Sequence, residues 1–212
     1  MSKLKSVSIH QLERYPVYLK YLNNLNQDGV RNVFSWMLSE ELGISEEQVR
    51  KDFQAISTIS GQTKRGRVVI QLIDDIETFL GYRDTTNAIL IGAGHLGQAF
   101  LNYDGFSDLG LNILAAFDID EKLIGKTINK KVVFSMNRIE NLIPRLSVHI
   151  AIIATPAEVA DNIAQRLIGL GIEAIWNFAP IHLSYPDIIV ENVNLASSLA
   201  VLSHKLNIKE RK

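Results

Sequence analysis

Residues 92–97 read Gly92-Ala93-Gly94-His95-Leu96-Gly97, a Gly-x-Gly-x-x-Gly fingerprint directly behind the apolar run 88–91. Few local structures accommodate it. The first glycine permits a tight turn out of a strand, the second lets the backbone approach a pyrophosphate, and the third lets the next helix pack against the strand. The middle of the chain is therefore expected to form strand, turn and helix, with the anion-favouring helix end at His95. Asp118 stands 21 residues beyond Gly97, the spacing at which an acid meets the ribose diol of a dinucleotide. An acid there favours NAD(H) and repels a 2′-phosphate, and no arginine follows it directly.

The pattern around the fingerprint alternates strands and helices. Strands are expected at 88–91, 111–117, 131–134, 149–154, 173–178 and 188–193, and helices at 95–103, 136–146 and 157–169. Such alternation implies a parallel sheet covered by helices on both faces. Thr155-Pro156 and Asn177-Phe178-Ala179-Pro180 fall at the C-terminal ends of two of these strands, where open α/β sheets bind ligands. Ordinary turn chemistry also accounts for those residues, for Pro180 above all. Asp120 reads as a turn residue. A final amphipathic helix carries Leu195, Leu199, Leu202 and Leu206 at i, i+4, i+7 and i+11.

The first 80 or so residues are of another kind. Ser8 and Gln11 have capping-box spacing, and Pro16 predicts a short turn before a longer helix that Asp28-Gly29 ends. Ser35 opens a short helix ending at Leu42-Gly43. A glycine turn leads to Ser45 and Gln48, a second capping box. Helix, tight turn and capped helix make a helix-turn-helix, whose second helix enters the major groove. That helix, from Glu46 to about Ile56, is expected to turn Val49, Phe53 and Ile56 to the core and to expose Gln48, Arg50, Lys51 and Gln54. Arginine and glutamine both read base edges. Residues 57–71, with Gly61, Gly66, the pair Lys64-Arg65 and Val68-Val69-Ile70, read as a two-stranded wing with a basic tip. Over residues 48–70, Arg50, Lys51, Lys64, Arg65 and Arg67 stand against Asp52 alone, a phosphate-facing patch if they share a face and a solvated face otherwise.

The expected organisation is α/β: a winged helix-turn-helix domain over 1–82, a Rossmann dinucleotide-binding domain over 83–194 and a C-terminal helix over 195–212. Net charge is −1, so the chain is no general nucleic-acid sponge. It contains no cysteine, which excludes disulfides and thiolate metal sites. None of His10, His95, His149, His182 and His204 has a metal-ligand spacing, and no metal is expected. His182 is the one histidine worth watching for catalysis. No signal peptide or membrane span is expected, which makes the cytosol the default location. The 115 residues after the fingerprint are just enough to finish one nucleotide-binding sheet. A nucleotide site fused to a DNA reader, with no room for a substrate domain, points to a nucleotide-controlled switch rather than an enzyme.

These residues resemble the Rex family of bacterial redox-sensing repressors along nearly the whole chain. The resemblance is carried by Arg14-Tyr15-Pro16-Val17-Tyr18, Leu42-Gly43-Ile44, Val49-Arg50-Lys51-Asp52-Phe53, Lys64-Arg65-Gly66 and the fingerprint continued into Ala99-Phe100-Leu101-Asn102-Tyr103. It continues through Ala116-Phe117-Asp118-Ile119-Asp120, Thr155-Pro156-Ala157 and Asn177-Phe178-Ala179-Pro180. The resemblance implies a homodimer that holds operator DNA when NADH is scarce and leaves it when NADH binds. It also implies a swapped C-terminal helix, with Leu195, Leu199 and Leu202 as dimer contacts, and a nicotinamide close to Tyr103.

Three departures stand against the family pattern. Gln54-Ala55-Ile56-Ser57 replaces Ser-Tyr-Phe-Gly, Arg67-Val68-Val69 replaces the wing's Gly-Tyr, and Asn194 replaces an aspartate. In the family that aspartate pairs with an arginine matching Arg14 in one state and a tyrosine matching Tyr103 in the other. Asn194 hydrogen-bonds both without charge, which predicts a weaker or shifted switch. Two other readings use the same residues: an NAD-binding regulator working through protein partners after losing DNA recognition, and an NAD-dependent oxidoreductase.

Overall fold

The computed structural model describes residues 7–57 and 66–210. The chain divides into two compact units, Met1–Asp84 and Thr85–Lys212.

The N-terminal unit runs α1 (Ile9–Gln27), β1 (Asn32–Val33), α2 (Ser35–Leu42), α3 (Glu46–Ile56), β2 (Arg67–Val68) and α4 (Val69–Leu80). Its core joins Tyr15, Tyr18 and Leu22 of α1, Leu38 of α2, Val49 and Phe53 of α3, and Leu72 and Ile76 of α4. Both expected N-caps form: Ser8 Oγ accepts from the Gln11 N–H and Ser45 Oγ from the Gln48 N–H. Neither glutamine reaches back as a capping box requires. Gln11 donates to the Tyr15 hydroxyl and Gln48 to the Asp52 carboxylate, stronger or better-placed acceptors one turn on.

Two expectations are corrected. Pro16 does not break α1, which runs unbroken through it. The carbonyl that loses its usual donor belongs to Leu12, on the exposed side, while Tyr15, Tyr18 and Leu19 pin the buried side. The β-branched run after Gly66 is strand only as far as Val68, and Val69 already opens α4. There Val69, Leu72, Ile73 and Ile76 are buried together, and this helical spacing outweighs β propensity. The strand pairs antiparallel with β1, Asn32 opposite Val68 and Val33 opposite Arg67. A side chain at Gly66 (φ 70°) would meet the Val33 carbonyl. The expected basic tip, Lys64-Arg65, lies outside the described residues.

The C-terminal unit holds a seven-stranded sheet. Its elements are β3 (Thr86–Ile91), α5 (His95–Asn102), α6 (Gly105–Asp108), β4 (Leu111–Asp118), β5 (Thr127–Ile128), β6 (Lys131–Ser135), α7 (Ile139–Leu146), β7 (Ile150–Ile153), α8 (Ala157–Gly169), β8 (Ala174–Asn177), β9 (Ile189–Asn192) and α9 (Leu195–Glu210). Strand order is β5-β6-β4-β3-β7-β8-β9, with every pairing parallel except β5 to β6. Without the short β5 this is the doubly wound order, whose direction reverses between β3 and β7.

Both faces of the sheet are buried at its centre, so the inner ends of β3 and β7 are apolar, while the edge strands β5 and β9 are partly exposed and carry polar residues. Ile89 and Ile91 of β3 and Ala151 and Ile153 of β7 join one core, while Ala88, Leu90 and Ile152 join the other. In β4 the alternation slips. Ala88 pairs with Ile113 and Ile89 with Ala115, leaving Leu114 as a bulge, so that Ile113 and Ala116 share a face.

Candidate nucleotide site and nucleic-acid interface

The fingerprint sits where the sheet reverses direction. Gly92 (φ 93°) directly follows β3, and a Cβ on it would lie 2.6 Å from the carbonyl oxygen of Ala154, which directly follows β7. A Cβ on Gly97 would lie 2.0 Å from the Gly92 carbonyl oxygen. These two glycines are required by the fold's own packing. Gly94, the N-cap of α5, differs: a Cβ there would meet nothing within 4 Å. Its missing side chain serves no contact among the described residues and leaves a path to the backbone.

Beside the loop lies a cavity of about 580 Å³, lined by Gly92, Gly94, Asp118, Thr155 and Pro156. Asp118 is fixed at its mouth. One carboxylate oxygen accepts from the Ala93 N–H at 2.6 Å, and the other accepts from the Ile119 and Asp120 N–H groups at 2.7 and 2.8 Å. A carboxylate oxygen accepts two bonds or more, so capacity for a diol remains. Thr155 Oγ1 is buried without a hydrogen-bond partner among the described residues. An orphaned hydroxyl, an open glycine and a fixed acid around one cavity are what a dinucleotide's polar groups need, and the residues fit that ligand.

The other sequence candidates divide. Ala93 is buried, while His95 and Leu96 are exposed at the start of α5. Tyr103 is exposed, with its ring edge-on to Phe106 at 4.9 Å. A Cβ on Gly105 would meet that ring at 2.6 Å, so Gly105 lets the ring lie flat over the turn. Asn177 and Ala179 are buried and do not line the cavity, and Pro180 is exposed. The Asn177 amide donates to the Ile181 carbonyl and to Asn192 Oδ1 and accepts from the Ala179 N–H, tying β8 to β9. Asp120 accepts from the Lys122 N–H, as a turn residue does. His182 is exposed.

Sequence reasoning missed the cavity's far wall. Val159, Asn162, Ile163 and Arg166 line it from α8, together with Ile119, an exposed apolar residue next to Asp118. The available signal was spacing, since residues 159, 162, 163 and 166 share one face of a helix that follows a ligand-binding turn. Arg166 also donates to Glu140 at 2.6 Å.

In the N-terminal unit, α3 exposes Arg50, Lys51 and Gln54 as expected. The expectation for Gln48 is corrected: it is half-buried, and its amide nitrogen donates to Asp52 Oδ1 at 2.7 Å. Arg50 pairs with Glu46 at 2.6 Å and Lys51 with Glu47 at 2.7 Å, one turn back. These acids lie just outside the window 48–70 and temper the patch. Both pairs are exposed, so they are weak and phosphates compete with them easily. Arg67 stacks over the Phe53 ring at 5.8 Å.

The three expected switch residues have clear partners. Arg14 makes two hydrogen bonds to Asp52, Nε to Oδ2 at 2.6 Å and Nη2 to Oδ1 at 2.9 Å. Tyr103 packs on Phe106. Asn194 Oδ1 accepts from the Ser197 N–H in the first turn of α9.

Comparison with known proteins agrees with this division. Residues 6–54 match a family model described as "Putative DNA-binding protein N-terminus", and residues 83–181 match one described as "CoA binding domain". A redox-sensing transcriptional repressor Rex from Thermoanaerobacter pseudethanolicus is 39% identical over 211 residues, covering 99% of this chain and 94% of its own. One from Clostridium botulinum is 38% identical over 99% of this chain and the whole of its own. Among solved structures, the Rex-family repressor RSP in complex with β-NAD+ and operator DNA superposes with a TM-score of 0.90 at 39% identity, covering 97% of this chain and 95% of that one. RSP with β-NADH gives 0.86 at 38% identity over 96% of each chain. With likeness of this extent along both units, the chain belongs to the Rex family of redox-sensing transcriptional repressors.

Proposed function

We propose that this protein binds operator DNA as a homodimer when NADH is scarce and is released from it by NADH. The observation that carries the reading is the glycine loop. Gly94 keeps open a backbone approach that none of the described residues uses, beside a cavity lined by a fixed acid. In this reading the N–H groups at the start of α5, from Gly94 to Gly97, take the pyrophosphate, with His95 and Leu96 flanking it. Asp118 takes the ribose diol, Thr155 and Pro156 border the same cavity, and Tyr103 borders the nicotinamide. The Asn177–Pro180 loop supports the sheet end behind them. A free diol suits Asp118, which argues for NAD(H) over a nucleotide phosphorylated on that ribose, coenzyme A included.

Gln48, Arg50, Lys51 and Gln54 face the major groove, and Lys64 and Arg65 contact phosphates from the wing. Arg14, Tyr103 and Asn194 form the switch, with Asn194 offering neutral bonds only. The domains take the bounds 1–82, 83–194 and 195–212, the last being the dimerisation helix. NADH and chromosomal DNA meet in the bacterial cytoplasm, where we place the protein. Among the described residues no helix is long and apolar enough to cross a membrane. The relatives are named repressors, and the reading assigns no catalytic residue.

The test is fluorescence anisotropy of the protein on the promoter of its own gene, titrated with NADH and then with NAD+. NADH is expected to release the duplex and NAD+ to release it far less. Equal binding with and without NADH would end the switch reading.

A further inference from the structure

Asp52 lies in the middle of α3 and is fully buried, and its two carboxylate oxygens accept four hydrogen bonds. Arg14 grips it through Nε and Nη2 at 2.6 and 2.9 Å, and the Tyr18 hydroxyl donates to it at 2.8 Å. The fourth donor is the Gln48 amide at 2.7 Å, and the Tyr15 hydroxyl meets the Asp52 backbone carbonyl at 3.0 Å. Three of the residues involved come from α1, which presents no base-reading helix. Gln48, one turn back along α3, is the one partner at the groove-facing end of the recognition helix.

We propose that Asp52 is a positioning residue for base recognition: it holds Gln48 in one orientation and ties that orientation to Arg14. Only the amide nitrogen donates, so the carboxylate decides which end of the amide turns inward and leaves Oε1 free to accept. A glutamine free to rotate presents donor or acceptor alike, whereas a held one presents a fixed pattern to a base edge. Oδ1, the oxygen that holds Gln48, also takes the Arg14 Nη2 bond, while Oδ2 takes Arg14 Nε and the Tyr18 hydroxyl. Any event that draws Arg14 away leaves a buried carboxylate short of its cation, and Gln48 and Tyr18 must then rearrange around it. Asp52 thus joins α1 to the reading surface of α3 within one domain. The inference rests on the DNA-binding reading above.

The experiment uses the full chain and the duplex that it enriches from a random library, together with every single-base variant of that duplex. Gln48→Ala is expected to lose discrimination at one base pair per half-site, from about tenfold to about twofold. Asp52→Asn is expected to lose discrimination at that same base pair, and the double variant to lose no more there. A merely structural role for Asp52 would weaken all duplexes by one factor and leave the base preferences as they were; that result overturns the proposal. So does a Gln48→Ala protein with unchanged preferences. Should Asp52→Asn not fold, Tyr18→Phe decides, because it removes one of the carboxylate's donors from outside α3 and keeps the ring. It is expected to soften discrimination at the same base pair, and an unchanged profile overturns the inference. Failure of the wild-type chain to enrich any duplex removes the DNA-binding reading and this inference together.

Discussion

The three fingerprint glycines have separable jobs. Gly97 is excluded from bearing a side chain because a Cβ there would lie 2.0 Å from the Gly92 backbone oxygen, which cannot step aside as a flexible side chain would. Gly97→Ala should therefore cost about 2 kcal/mol of stability. Gly94 has open space, so Gly94→Ala should cost no more than about 1 kcal/mol, the value of a changed N-cap. Its methyl group would instead occupy the pyrophosphate's approach and weaken NADH at least about tenfold. Thermal unfolding and an NADH fluorescence titration on both variants separate the two effects. A Gly94→Ala protein with the wild-type dissociation constant would show that no phosphate comes near the loop. Asp52 gives a second residue-scale expectation. Burial alone would push its carboxyl up, but the bonds from Arg14, Gln48 and Tyr18 outweigh burial and hold it below the ordinary 3.8. A carboxyl lowered in the folded state contributes stability that is whole above the unfolded value, near pH 4, and fades as pH falls through the lower folded value. Acid unfolding followed by tyrosine fluorescence should therefore be less steep below pH 4 in Asp52→Asn. Coincident curves would deny the carboxylate this role.

At the scale of elements, α3 shows what sequence could and could not tell. Its bounds and its N-cap were legible, because Ser45 and the spacing of Val49 and Phe53 are local signals. The orientation of Gln48 was not, because it depends through Asp52 on Arg14 and Tyr18, both more than 30 residues before Asp52 in the chain. The same holds at the cavity. Gly92, Gly94 and Asp118 announce themselves through a fixed spacing, while the α8 wall carries only a helical spacing, which points to a cavity once β7 is laid beside β3. Pro16 misled for the reverse reason: its local cost is real, and packing of α1 on Phe53 and Phe79 overrode it. Arg50 and Lys51 remain the exposed cations of α3, held only by surface pairs one turn back. Arg50→Ala with Lys51→Ala should lower operator affinity at least about tenfold and flatten the salt dependence by about one to two phosphate contacts. Binding measured across a salt series checks both. An unchanged affinity would favour the reading in which this chain works through protein partners.

At the scale of the whole molecule, the least satisfied element is α9. Leu199, Leu202 and Leu206 are exposed along it, together with Val201 and Ile208. A leucine kept in water forgoes about 1.5–3 kcal/mol that burial would return, so three in one helix are a strong inducement to cover it. A second copy of this chain is the cover that the repressor reading requires, since a winged-helix dimer reads two half-sites of a palindrome at once. Coupling two half-site contacts in one particle raises affinity by about 10² to 10⁴ without any new contact. Leu199→Glu with Leu202→Glu places two carboxylates in that seam without altering the glycine loop or α3. The variant should run as a monomer by light scattering, still bind NADH through its intact cavity, and lose at least about 100-fold on a two-half-site operator while keeping its affinity for a single half-site. A variant that stays dimeric would mean that α9 is covered by something other than a second copy. A monomer that kept full operator affinity would show that one recognition helix suffices, and the dimeric switch would have to be abandoned.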